Sequence, residues 1–131
     1  MFDHLSLGIT DLDRSLAFYD QVFSALSISR MFALPTEGIA GYKGANGMSF
    51  WLYAKTADKS PLVITPQPRF HLAFQANNRS AVDAFYQAAL ATGGSDDGAP
   101  GIRSNYHPNY YAAYVRDPDG YKLEAVCHLA A

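Results

Sequence analysis

Two histidines and one glutamate supply the residue types from which a metal centre can be built: His4, His71 and Glu124. Side chains alternate along a strand, so parity assigns each of them a face. In "FDHLSLGI" the apolar row is Leu5, Leu7 and Ile9, and His4 points the other way with Ser6 and Gly8. In "RFHLAFQA" the row is Phe70, Leu72 and Phe74, which leaves His71 with Ala73 and Gln75. In "YKLEAVC" it is Leu123, Ala125 and Cys127, with Glu124 opposite beside Val126. Two imidazoles and one carboxylate with open positions form the facial set used for iron, and the set also suits Mn²⁺ or Zn²⁺ with bound water. A carboxylate turned into a sheet needs a partner. A shared ion accounts for all three residues, whereas a satisfied core histidine would account for His71 alone.

The segments around these residues repeat. "HLSLGITDLDRSLAFY" (4–19) and "HLAFQANNRSAVDAFY" (71–86) both open with His-Leu and close with Ala-Phe-Tyr. "GANGMSFWLYA" (44–54) aligns with "DPDGYKLEAVC" (117–127), matching Gly47 to Gly120 and Trp51 to Glu124. By parity Phe50 and Leu52 point inward and Trp51 outward, so Trp51 occupies the fourth of four related positions. The chain therefore reads as two copies of one unit, with module 1 over about 1–57, a connector over about 58–68 and module 2 over about 69–131. Each copy follows the order β-α-β-β-β. The first helix is capped by Asp11 and buries Leu12, Leu16, Tyr19, Phe23 and Leu26. The second is capped by Ser80, buries Val82, Phe85, Ala89 and Leu90, and ends at Gly93-Gly94. "SDDGAPGIRS" reads as loop, and "DPDG" as a turn.

Composition narrows the function classes. A hydrophobic fraction of 49% against 17% charged residues predicts a globular domain rather than a disordered chain. Net charge is −2 with the basic residues scattered, which leaves no stripe for nucleic acid. No apolar run is long enough to span a membrane, and no signal segment precedes the first strand. The single cysteine, Cys127, excludes an internal disulfide, suits the cytoplasm and reads as a small core residue.

The paired modules, "FDHLSLGITDLDRSLAFY" at the start and "DPDGYKLE" near the end resemble the vicinal-oxygen-chelate superfamily, which includes glyoxalases, bleomycin-resistance proteins and extradiol dioxygenases. The resemblance implies an α+β fold in which two tandem β-α-β-β-β modules form a curved mixed sheet around a cleft. It implies His4, His71 and Glu124 as ligands of one divalent ion (Fe, Mn, Zn or Ni). Where glyoxalases of the bacterial type place a fourth ligand, this chain has Trp51, which neither ligates nor takes a proton. The three-ligand pattern fits dioxygenases and fosfomycin-type transferases instead. "NYHPNYYAAYVRDPDGYKLE" is similar to the extradiol signature, by which His107 would be an acid–base or dioxygen-stabilising residue and Tyr114 a donor to a substrate oxygen; Tyr114 reads equally as strand packing. Ala113 departs from the large residue that signature expects.

Substrate contacts are expected from Trp51 and Tyr53 as a cleft wall, and from Arg103 beside Tyr106. Arg103 either anchors an anionic substrate or stands solvated in its loop. Two readings follow from the resemblance. One is a divalent-metal enzyme acting on a small substrate that chelates the ion through vicinal oxygens, by dioxygenase or lyase/isomerase chemistry. The other is a metal-free small-molecule binder of the bleomycin-resistance type. A homodimer is expected in either case.

Overall fold

The computed structural model describes residues 1–56 and 58–131; the end of module 1, expected near residue 57, lies outside the described residues. Module 1 runs β1 (His4–Gly8), α1 (Leu12–Ala25), β2 (Ser29–Leu34), β3 (Ile39–Lys43) and β4 (Ser49–Tyr53). Module 2 repeats it with β5 (Leu72–Gln75), α2 (Arg79–Ala91), β6 (Ser95–Ile102), β7 (Tyr111–Arg116) and β8 (Lys122–Cys127). Each makes a four-stranded mixed sheet, ordered β1-β4-β3-β2 and β5-β8-β7-β6. In both, the first strand pairs in parallel with the last. The repeat extends to backbone conformation: Gly47 and Gly120 share a positive φ, +85° and +93°, which glycine adopts without a Cβ penalty.

Burial follows the strand parity in β1 and β4, while β8 is buried on both faces, Glu124 and Val126 included. Leu7, Ile9, Phe50, Leu52, Leu123, Ala125 and Cys127 are core, while His4 is exposed. The two helices pack on one another, and Phe23 of α1 meets Phe74 of β5 with ring centroids 5.3 Å apart. Such an edge-to-face contact adds about 0.5–1.5 kcal/mol beyond the area it buries.

Four expectations are corrected. Phe70, assigned to the inward row, is 52% exposed. The strand begins only at Leu72, and Arg69, with φ +66°, redirects the chain just before it. The second helix is capped by Asn78, whose Oδ1 accepts from the Ala81 amide, so Ser80 lies inside the helix. Leu90 is 40% exposed and Tyr86 takes its place in the core. Finally, "SDDGAPGI" is edge strand β6 rather than loop. Its register against β7 shifts on both sides of Gly98, and these bulges erase the alternation by which a strand is read.

The DPDG turn ties the modules together. Asp117, only 4% exposed, accepts from the amides of Asp119 and Tyr121 and from the hydroxyl of Tyr19 on α1, 2.6 Å away. Burial raises the Asp117 pKa despite these donors, and burial beside that carboxylate pushes the Tyr19 phenol well up. Asp119 accepts from Thr10 and Arg14, and the Tyr121 hydroxyl donates to the Gly8 carbonyl. This turn leads directly into β8, which carries Glu124.

Candidate active site

Glu124 and His71 face each other from paired strands. β5 and β8 run in parallel with Ala73 opposite Glu124, which places His71 one step before the strand and on the same open face. His71 Nε2 lies 2.9 Å from Glu124 Oε2. Glu124 is 2% exposed, an otherwise costly position for a carboxylate. Its second oxygen, Oε1, accepts from the Tyr110 hydroxyl. Burial first, then the Glu124 carboxylate, pushes the Tyr110 phenol up, so it remains a donor at neutral pH. The same two causes raise Tyr114, whose ring lies 6.3 Å from the His71 ring.

These groups line a pocket of about 890 Å³, within the usual range for a small-molecule site. Its walls include Arg69, Phe70, Arg103, Tyr106, Arg116 and Lys122. Of the expected site residues, His71, Glu124, Tyr114, Arg103 and Tyr106 converge here. The others do not. His4 is outside this lining, with its Nδ1 2.5 Å from the Asp3 carboxylate. Trp51 lies over Gly41 on the other sheet, against Phe32, and donates its indole N–H to Ser49. Tyr53 borders a separate hollow with Ile39, Lys55 and Lys59.

His107 is likewise outside the pocket lining. Its Nδ1 accepts from the Asn109 amide, so Nε2 carries the proton and donates to His128 Nδ1 at 2.7 Å. Both rings pack on Tyr110, at 5.4 and 5.2 Å. The pair thus braces the residue that holds Glu124, and offers no acid or base to the pocket. Tyr110 is not distinguished by sequence, where three tyrosines in five residues give no reason to prefer it.

The donor chemistry of this pair fits a divalent ion. An imidazole nitrogen and a carboxylate oxygen are donor types that divalent ions take, and His71 Nε2 and Glu124 Oε2, hydrogen-bonded to each other at 2.9 Å, converge on one point of the pocket. Tyr110 supplies the outer hydrogen bond that a ligating carboxylate usually has. Among the described residues, however, no three His, Cys, Asp or Glu side chains assemble around one point. Within one chain the pocket brings two of the three expected ligands.

Comparison with known proteins agrees with this architecture. The profile of the Glyoxalase/Bleomycin resistance protein/Dioxygenase superfamily matches residues 1–125. The chain belongs to that superfamily. Among curated relatives, a metallothiol transferase FosB from Shouchella clausii is 27% identical over 124 residues, covering 93% of this chain and 76% of that protein. Among solved structures, a glyoxalase/bleomycin resistance protein from Albidiferax ferrireducens is 31% identical and superposes with a TM-score of 0.82, covering 97% and 98% of the two chains. A glyoxalase-related enzyme from Fulvimarina pelagi shares the fold at 24% identity and TM-score 0.74, covering 97% of this chain and 87% of that one.

Proposed function

We propose that this superfamily member is a divalent-metal-dependent enzyme acting on a small substrate in the pocket between His71, Glu124 and Arg103. The observation that carries the reading is the His71 Nε2–Glu124 Oε2 pair, 2.9 Å apart at a buried carboxylate. His71 and Glu124 would hold the ion, with His4 of a second copy as third ligand, since His4 is exposed on its own sheet and is the repeat counterpart of His71. The functional unit is then a homodimer. The ion would supply Lewis-acid polarisation of the substrate's adjacent oxygens.

The chain's own residues do the rest. Tyr110 keeps one Glu124 oxygen occupied and so fixes the direction of the other. Tyr114, a phenol held protonated by burial and by Glu124, donates to a substrate oxygen as charge develops there. Tyr106 packs at a tilt against Tyr110, ring centroids 4.8 Å apart, and closes one wall. The FosB relative transfers a thiol group by its name, which favours group transfer or lyase/isomerase chemistry for this chain over ring cleavage. His107, the acid–base group a dioxygenase of the extradiol kind would need, is turned away from the pocket.

The test is a turnover screen on chelator-treated and metal-restored protein, with thiol-plus-epoxide, hemithioacetal and catechol substrates. Activity that returns with a divalent cation and is missing from His71→Ala is expected. Equal activity in the chelated protein would overturn the reading.

A further inference from the structure

We infer that the same pocket holds a built seat for an oxyanion, formed by the Arg103 guanidinium, and that the substrate carries an anionic group at the end away from His71 and Glu124. The inference rests on the pocket assigned above, but not on the metal.

Charge is the first observation. The lining carries Arg69, Arg103, Arg116 and Lys122 against Asp97 and Glu124, four cations to two carboxylates, in a chain of net charge −2. Asp97 is shared by Arg116 and Lys122, at 3.0 and 3.4 Å. Glu124 is taken by His71 and Tyr110. Among the described residues neither Arg69 nor Arg103 is ion-paired. Two guanidiniums thus border a concave site without a counter-charge, and such a site attracts anions.

The second observation is that Arg103 is fixed in place. Its Nη2 donates to the Ala99 carbonyl at 2.7 Å, and the guanidinium lies over the Tyr114 ring, 5.6 Å from its centroid. Two glycines of β6 make the room. A Cβ on Gly101 would stand 3.0 Å from Arg103 Nη1, and one on Gly98 would stand 3.4 Å from Nη2 and 2.9 Å from Tyr114 Cδ2. Lys122 Nζ stands against the same tyrosine ring at 4.9 Å. A guanidinium held by a carbonyl, an aromatic face and bare backbone loses little freedom on binding. Its remaining N–H donors match the paired oxygens of a carboxylate or phosphoryl group.

With two unpaired guanidiniums on the rim, a doubly charged phosphoryl-type group is expected to bind more tightly than a singly charged carboxylate. Tyr114 then stands between the anion seat and the His71–Glu124 pair. A substrate with its anionic group a few atoms from its reacting oxygens spans the two.

Calorimetric titration of chelator-treated protein with inorganic phosphate, and separately with acetate, at low ionic strength tests this. Saturable phosphate binding is expected, tighter than acetate and weakened by added salt. Arg103→Gln should weaken it at least tenfold. Gly101→Ala, which keeps every charge but crowds the guanidinium tip, should weaken it several-fold. Arg14→Gln, whose arginine is tied to Asp119 outside the pocket, should leave it unchanged. Acetate binding more tightly than phosphate would reassign the group to a carboxylate and overturn the doubly charged form. No saturable binding of either anion, or equal affinity in Arg103→Gln, would overturn the seat altogether. Phosphate binding that persists in His71→Ala while metal binding is lost separates this proposal from the enzyme reading, and each can fail without the other.

Discussion

Replacing Tyr110 with phenylalanine tests the way Glu124 is held. The carboxylate is buried and has two partners, Tyr110 on Oε1 and His71 on Oε2. Tyr110→Phe removes one donor, keeps the ring that packs on Tyr106, His107 and His128, and leaves Oε1 facing an apolar edge. A hydrogen bond to a charged group is worth about 1.5–3 kcal/mol net. Loss of an outer-shell partner of a metal ligand costs about 10–100-fold in affinity, or roughly 1.4–2.8 kcal/mol. The two figures agree because the same bond is being removed. Competition against a chromophoric chelator at neutral pH reads the effect as a dissociation constant raised by that factor, with the stoichiometry unchanged. The chelated variant should also unfold at lower urea. Tyr111→Phe is the control: its hydroxyl donates to Asp83 on α2, outside the pocket, and its metal affinity should equal that of the parent. An affinity for Tyr110→Phe within about twofold of the parent would refute the reasoning, and would mean that the ion takes both carboxylate oxygens or neither.

Other expectations concern the frame around the site. Tyr19→Phe deprives the buried Asp117 oxygen of its 2.6 Å donor; a loss of about 2 kcal/mol is expected, read as a thermal midpoint lower by roughly 8 °C for a chain of this size. Burial and neighbouring carboxylates raise the Tyr19, Tyr42 and Tyr110 phenols, so the folded chain keeps protons that the unfolded chain releases near pH 10. Their contribution is complete below that pH and is lost as pH rises above it; urea midpoints should fall from pH 9.5 upward, and a flat or rising profile would contradict the assignment. Mixing His4→Ala with Glu124→Gln protein should regenerate one intact site per mixed dimer and recover metal binding that neither variant shows alone. Recovery that fails after subunit exchange has been demonstrated would argue against a site shared between copies.

Strand parity places the apolar rows of β1, β4 and β8 and puts His71 and Glu124 on the face opposite them, because a sheet with one packed face imposes period two on its sequence. It failed where that constraint lapses. Phe70 stands two residues outside the strand, directly after a left-handed Arg69, so its alternation carries no information. β6 is an edge strand with two bulges and a Gly-Ala-Pro-Gly core, which reads as loop by every local criterion. The cap of α2 lies two residues before Ser80 because Asn78 and Ser80 are both good caps, and only the backbone decides between them. Of the three expected ligands, His71 and Glu124 meet in one pocket, while His4 stands outside it on the other sheet, a separation that residue type and strand face do not encode. What distinguishes Tyr110 from Tyr111 and Tyr114 is a hydrogen bond to a residue 14 positions away, which no local pattern encodes.

Metal content by elemental analysis of untagged protein, together with Glu124→Gln, decides whether His71 and Glu124 hold a divalent cation. About one equivalent of iron, manganese, zinc or nickel per chain, lost in the variant, is the predicted result. No metal in the parent even after reconstitution, or equal metal in both proteins, would contradict it, and the first of these would leave a pocket that binds its small molecule without an ion.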